Sequence, residues 1–217
     1  MLAIAPASVA AAAPPDPRAN IPLGSLPAAC ESAPTGAACE SAAVVALDRA
    51  RRATGLAGYR LPRGFTRLPA LRQWLILVNL DRVAYGLAPV AGTATVLDAV
   101  ARRGALAHAD PDPLPLLRAL RGQQLLGFGS DWAGGQPNGL VAYFGWMYDD
   151  GYGSGNLDCG APSDSGCWGH RHNILAFGHA PALTMGGAAL TRARSYALSI
   201  VESSTPPWPY AQRAAAE

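Results

Sequence analysis

Three of the four histidines fall late in the chain, at His170, His172 and His179, and the first two belong to the run Gly-His-Arg-His-Asn-Ile-Leu at 169–175. Imidazole titrates near neutrality and ligates zinc or copper well, so His-x-His raises both proton transfer and metal binding. On an extended strand the two rings would point the same way, whereas on a helix they diverge by about 200°. Asn-Ile-Leu-Ala after them argues for a short helix, with one histidine in a cleft and the other at the surface. His108 recurs on one helical stripe with Leu97, Ala101 and Gly104, which makes it first a hydrogen-bonded core group and only second a ligand. Asp149 and His170 are its candidate partners, brought together only by folding. Trp132 and Trp146, with Tyr143 and Tyr148, supply aromatic surface for a pocket floor or for ordinary core packing.

Other chemistries find little support. No Gly-x-Ser-x-Gly occurs: Ser154 has glycine on both sides but Tyr152 two places before it. The chain contains no lysine, so a phosphate-binding loop of the Walker type is excluded. Four cysteines form two close pairs, Cys30 with Cys39 and Cys159 with Cys167. Of the three connectivities, the near-neighbour one needs no long-range assumption, and zinc would favour tighter C-x-x-C spacing. Disulfides suit an oxidising compartment and leave no thiolate for catalysis.

The elements that must position these groups follow from periodicity. Ala70–Tyr85 carries Leu71, Trp74, Leu75 and Val78 at helical spacing before Gly86. A second helix begins near Thr95, where Thr95-x-x-Asp98 has the form of a capping box, and Pro111, Pro113 and Pro115 end it. Asn138 is placed to cap a third, reaching about Asp150 with Leu140, Tyr143, Phe144 and Met147 on one face. Leu183–Leu190 and Tyr196–Glu202 read as two antiparallel strands around a turn. Val44–Ala53 is an amphipathic helix ended by Gly55, and the Pro-, Ala-, Gly- and Ser-rich residues 14–42 read as a linker pinned by the first cysteine pair.

Half of the 217 residues are hydrophobic and 15% are charged, the composition of a folding chain. Seventeen scattered arginines against fifteen carboxylates leave +2, which argues against nucleic acid as a partner. Met1–Ala13 is apolar and ends in a run of alanines, like the core and cleavage site of a secretory signal, although it lacks the basic opening. No later apolar run reaches the ~18 residues of a membrane span.

The order of motifs resembles the CAP superfamily of cysteine-rich secretory, antigen 5 and pathogenesis-related 1 proteins, in its bacterial, SCP-like branch. The matching pieces are Leu77-Val78-Asn79-Leu80-Asp81-Arg82 with Gly86-Leu87, Leu97-x-x-x-Ala101, Gly-Trp-Met at 145–147, and Gly-His-Arg-His-Asn-Ile-Leu. The resemblance implies an α+β fold, an α-β-α sandwich whose small antiparallel sheet is covered by helices. It spans residues 66–204, after an apolar tail or signal at 1–13 and a linker with one helix at 14–65, and before a C-terminal tail at 205–217.

It also implies a cleft with two histidines and two glutamates that holds a divalent cation in many members. Residue by residue, the second histidine falls on His170 and one glutamate on Asp149. The first histidine position falls on Gly104, with His108 one turn later. The other glutamate falls on Ser130, leaving neighbouring Asp131 to deputise. Asp149 withdraws its oxygen by about one methylene, beyond the ~0.2 Å tolerance of a good site. The expectation is therefore a secreted, disulfide-braced, non-catalytic module that binds a lipid-like or cell-envelope ligand in a cleft of His108, Asp131, Trp132, Trp146, Asp149 and His170. It requires no cofactor, and His108, Asp149 and His170 could hold a divalent cation only weakly. The alternative is a metal-assisted or acid/base hydrolase using His170, Asp149 and His108. A protein partner could dock on the 151–168 loop.

Overall fold

The computed structural model describes residues 14–118, 125–175 and 182–214, so the leader-like Met1–Ala13 and His179 lie outside the described residues. Among those residues the fold is α+β, with seven helices and a five-stranded mixed sheet. The helices are α1 (Ala29–Ser32), α2 (Ala37–Ala53), α3 (Ala70–Ala84), α4 (Thr95–Ala107), α5 (Leu114–Arg118), α6 (Gly139–Tyr148) and α7 (Gly169–Leu175). The strands are β1 (Gly92–Thr93), β2 (Leu125–Gly134), β3 (Ala182–Leu190), β4 (Ser195–Ser203) and β5 (Gln212–Arg213), in the order β2-β4-β3-β1-β5.

β3 and β4 form the expected antiparallel pair, in register from Ala182 opposite Ser203 to Leu190 opposite Ser195. The sheet as a whole is mixed because β1 runs parallel to β3. β5, in the segment read as a tail, adds to its edge against β1. Successive strand residues face opposite sides. A Cβ at Gly186 would clash with the α4 backbone at Leu97, and one at Gly187 would lie 2.8 Å from Trp74 of α3. Helix α4 therefore covers one face of the sheet and α3 the other.

The α3 stripe is buried as its spacing requires, with Trp74, Leu75 and Val78 inaccessible to solvent or nearly so. Trp74 stacks obliquely on Trp146 of α6 at 5.6 Å and donates its indole N–H to the Gly139 carbonyl at 2.8 Å. Asn138 caps α6 as expected, accepting from the Val141 N–H at 3.0 Å. Every α6 residue but Gly145 is buried, because α2, α3, α7 and β2 surround the helix. Below the stripe, Asp81 is sealed from water, paired with Arg51 and accepting from the Tyr59 and Tyr143 hydroxyls at 2.7 and 2.6 Å.

Several local expectations are overturned. Helix α2 begins at Ala37, not Val44, and carries Cys39, bridged to Cys30 with Cα atoms 5.0 Å apart. The preceding segment, read as a linker pinned by the first cysteine pair, is held at further points: Arg49 holds the Pro22 and Leu23 carbonyls at 2.8 Å, and Asn20 accepts from the Gly151 N–H at 2.7 Å. The capping box does not form; Ala94 is the N-cap, and Asp98 accepts instead from the Gly187 N–H of β3 at 3.1 Å. A sheet amide thus takes the carboxylate that the helix's own first turn would have used. His108 is not on the α4 stripe. It is the exposed C-cap residue, in the left-handed region at φ 54°.

Candidate functional site

A cavity of about 660 Å³ opens at β2, the free edge of the sheet, between the end of α4, the end of α6, the start of α7 and the 151–168 loop. His108, Trp132, Trp146, Asp149 and His170 all line it; Asp131 does not.

Helix α7 separates its two histidines as a helix must. The His172 ring points out and meets Asp16 at 2.8 Å. The His170 ring is largely buried, and its Nδ1 lies 2.6 Å from Oδ1 of Asp150. The partner is thus Asp150, not Asp149. Helix α6 ends at Tyr148, and Asp149 still follows the helical ladder, its N–H donating to the Gly145 carbonyl at 3.1 Å. Only the next residue turns back across α7, where Oδ2 of Asp150 accepts from the His170 and Arg171 N–H groups at 3.0 and 3.4 Å. Asn156 clamps the same carboxylate, donating to Oδ1 at 2.8 Å while also holding the Gly166 carbonyl at 2.9 Å. The Cys159–Cys167 disulfide, with Cα atoms 4.6 Å apart, closes the loop that carries this clamp.

The other ring nitrogen of His170 is directed towards Asp110, Nε2 standing 3.9 Å from Oδ1. Asp110 itself accepts from the backbone N–H of Trp132 at the sheet edge. Burial alone would push the imidazole pKa down. The Asp150 hydrogen bond and the charges of Asp131, Asp150 and Asp110 outweigh it and hold the group at about 9. At neutral pH the ring is an imidazolium with both nitrogens protonated.

Asp131 lies behind the cavity, sealed from solvent. Its Oδ1 accepts from Asn173 of α7 at 2.9 Å, and its Oδ2 has no hydrogen-bond partner among the described residues. Burial pushes this carboxyl far above the ordinary carboxylate range, against the lowering influence of His170 and Asn173. Helix α7 approaches β2 so closely here that a Cβ at Gly129 would lie 2.7 Å from Asn173.

Trp132 points to the α4 side of β2. Its indole N–H donates to Oγ of Ser195 at 2.9 Å, and Ser195 donates on to the Ala105 carbonyl at 2.6 Å. The exposed His108 ring meets it edge-on, with centroids 5.9 Å apart. Gly104 admits no side chain where the resemblance would put a histidine, since a Cβ would stand 2.8 Å from the Ala109 carbonyl oxygen and the Pro111 nitrogen.

The cation-holding tetrad that the resemblance implies does not assemble at these positions. His170 already commits Nδ1 to Asp150, Gly104 is closed by backbone, and Asp131 is held by Asn173. No three His, Cys, Asp or Glu side chains among the described residues are grouped to hold one ion. The residues present do not fit the tetrad. Asp150, Asp110 and Asn156 were missed from sequence. The Asp149-Asp150 doublet was the available signal, since a helix end leaves either carboxylate free to turn back.

No family model, no curated protein and no solved structure matches the chain. No helix among the described residues is long and apolar enough to cross a membrane.

Proposed function

We propose that the chain is an extracellular binding module of the CAP type, which holds a lipid-like or cell-envelope ligand in the cleft at the edge of β2 without turning it over. The family reading is supported by the union of its two most distinctive motifs: Arg82, from Asn-Leu-Asp-Arg, donates to the Ile174 carbonyl of the histidine motif at 2.8 Å. Helices on both faces of the sheet fit the α-β-α sandwich. The two disulfides and the signal-like Met1–Ala13 support an extracellular setting.

The observation that carries the binding reading is the chemistry of the cleft wall. It offers Trp132, Trp146 and a histidine already protonated, and none of its lining residues bears a hydroxyl or thiol. A base must be deprotonated at working pH, so titrating near 9 takes His170 out of that role at neutral pH. One feature favours the alternative hydrolase: an Asp–His pair with Nε2 towards the cavity has the form of a general acid. Sedimentation with insoluble cell-envelope fractions decides between them. The module is expected to be retained saturably, with retention lost in Trp132→Ala and no soluble fragments released. Release of fragments that stops in His170→Ala would overturn the proposal in favour of the hydrolase.

A further inference from the structure

We infer that the cleft takes a pyranose saccharide, neutral or amine-bearing, seated against Trp132. This names the ligand class of the binding module proposed above and rests on that reading.

Trp132 is a fixed platform. Its indole N–H is tied through Ser195 to α4, and Gly134, two residues along the same strand face, lies so close that a Cβ there would stand 2.6 Å from the ring. A ring held this way loses no rotamer freedom when a ligand stacks on it. The half-buried indole and the edge-on His108 offer the apolar side of the contact.

The polar groups left unmet are of both kinds. The Asp149 carboxylate can only accept while ionised, the Gln136 amide donates and accepts, and neither has a hydrogen-bond partner among the described residues. Trp146, also in the wall, adds ring surface only, because its indole N–H is sealed from solvent and, without a partner among the described residues, lies out of a ligand's reach. A ligand that answers donors and acceptors together while stacking an aliphatic face on an aromatic ring is a polyol ring. An acyl chain would leave all these groups unpaired and desolvated, each at a penalty.

Charge narrows the class further. Asp110, Asp149, Asp150 and Asp158 line the cleft against one cation, the His170 imidazolium that Asp150 already pairs, and no arginine lines it, so the acidic groups remain in excess. Uronic acids and other anionic sugars would meet repulsion, while an amino group would be attracted and could approach the indole face favourably. The volume of about 660 Å³ is in the range of small-molecule clefts and has room for more than one sugar ring. An anionic lipid has a better place elsewhere: a separate cavity of about 770 Å³ floored by Leu75 and Ile76 and rimmed by Arg60, Arg63 and Arg72.

The full chain is titrated with an N-acetylglucosamine tetramer, its de-N-acetylated form and a galacturonic acid tetramer, following the indole N–H resonances by NMR and the affinity by calorimetry. Both glucosamine oligomers are expected to bind saturably and to shift the Trp132 resonance, with the uronic acid at least tenfold weaker. Trp132→Ala should weaken binding tenfold or more. Gln136→Ala and Asp149→Asn, which remove no core contact, should weaken it about threefold each and guard against loss of fold in the tryptophan variant. Equal affinity for the uronic acid, or no response to any of the three, overturns the saccharide. If phosphatidylglycerol vesicles are then captured by the wild type and not by Trp132→Ala, the saccharide falls and the binding module stands. If capture is instead lost only in Arg63→Glu, both fall.

Discussion

Replacing Asp150 with asparagine removes the charge that holds a proton on His170 while keeping an oxygen to accept from the His170 N–H at 3.0 Å. The imidazole has a folded pKa of about 9 against an ordinary 6.5, and only 14% of its side chain is exposed. At 1.36 kcal/mol per pKa unit that difference corresponds to stabilisation on the order of 3 kcal/mol. Part of it is returned by Asp150 itself, whose carboxyl is pushed up by burial against the lowering hydrogen bond from His170. The net contribution is about 2 kcal/mol. Because the folded pKa lies above the unfolded one, the stabilisation is complete below pH 6.5 and vanishes as pH rises through about 9. Urea unfolding should therefore find Asp150→Asn about 2 kcal/mol less stable than wild type at pH 6, with the gap under about 1 kcal/mol at pH 10. The His170 resonance should titrate near 9 in the wild type and markedly lower in the variant. An equal stability difference at both pH values, or a wild-type midpoint near 6.5, would refute the argument.

Gly104→His, which restores the residue type implied by the resemblance, should lower stability by about 2–3 kcal/mol because the Ala109–Pro111 backbone occupies its space; unchanged urea stability would show that the chain end there can yield. The Cys159→Ser/Cys167→Ser pair opens a loop of sequence separation 8, for a loss of roughly 2–3 kcal/mol and faster amide exchange through 151–168; unaltered exchange would mean that Asn156 alone secures the loop. Chelation is a further check on the cleft. Dialysis against EDTA should leave the melting temperature where it was, and a drop of several degrees would place an ion in the protein.

What could be read from the sequence is what local periodicity controls. The α3 stripe, the Asn138 cap and the β3–β4 pair are each determined by residues within one element and its neighbours, and each appears where its pattern puts it. Strand β2 had no such signal: Leu-Leu-Gly-Phe-Gly-Ser-Asp-Trp-Ala-Gly is rich in poor strand formers. Its glycines answer a tertiary demand, Gly129 for the close pass of Asn173 and Gly134 for the Trp132 ring. Asp98 failed as a cap for the same kind of reason, drawn away by an amide from the sheet. In the site, helical divergence within His-x-His made it legible that one histidine faces a cleft and the other the surface, while the choice of His170 for the cleft came only from the resemblance. The choice of Asp150 over Asp149 was not legible, because it depends on where α6 stops and how the chain then crosses to α7.

The same crossing gives the histidine's charge an architectural part. His170 joins the end of α6 through Asp150, faces Asp110 beyond α4, and feels the charge of Asp131 in β2, which is tied to α7 by Asn173. Removing the proton would leave Asp150, almost sealed from water, without its counter-charge. A buried pair of this kind adds little net stability over apolar packing, but breaking it is expensive, so its effect is to forbid alternative arrangements. On the far side of β2 the Trp132–Ser195–Ala105 chain fixes the other wall. Both walls are thus fixed by contacts within the chain, as the binding role proposed above requires. A proton shuttle at this position would have to dismantle the contacts that keep the cleft in shape.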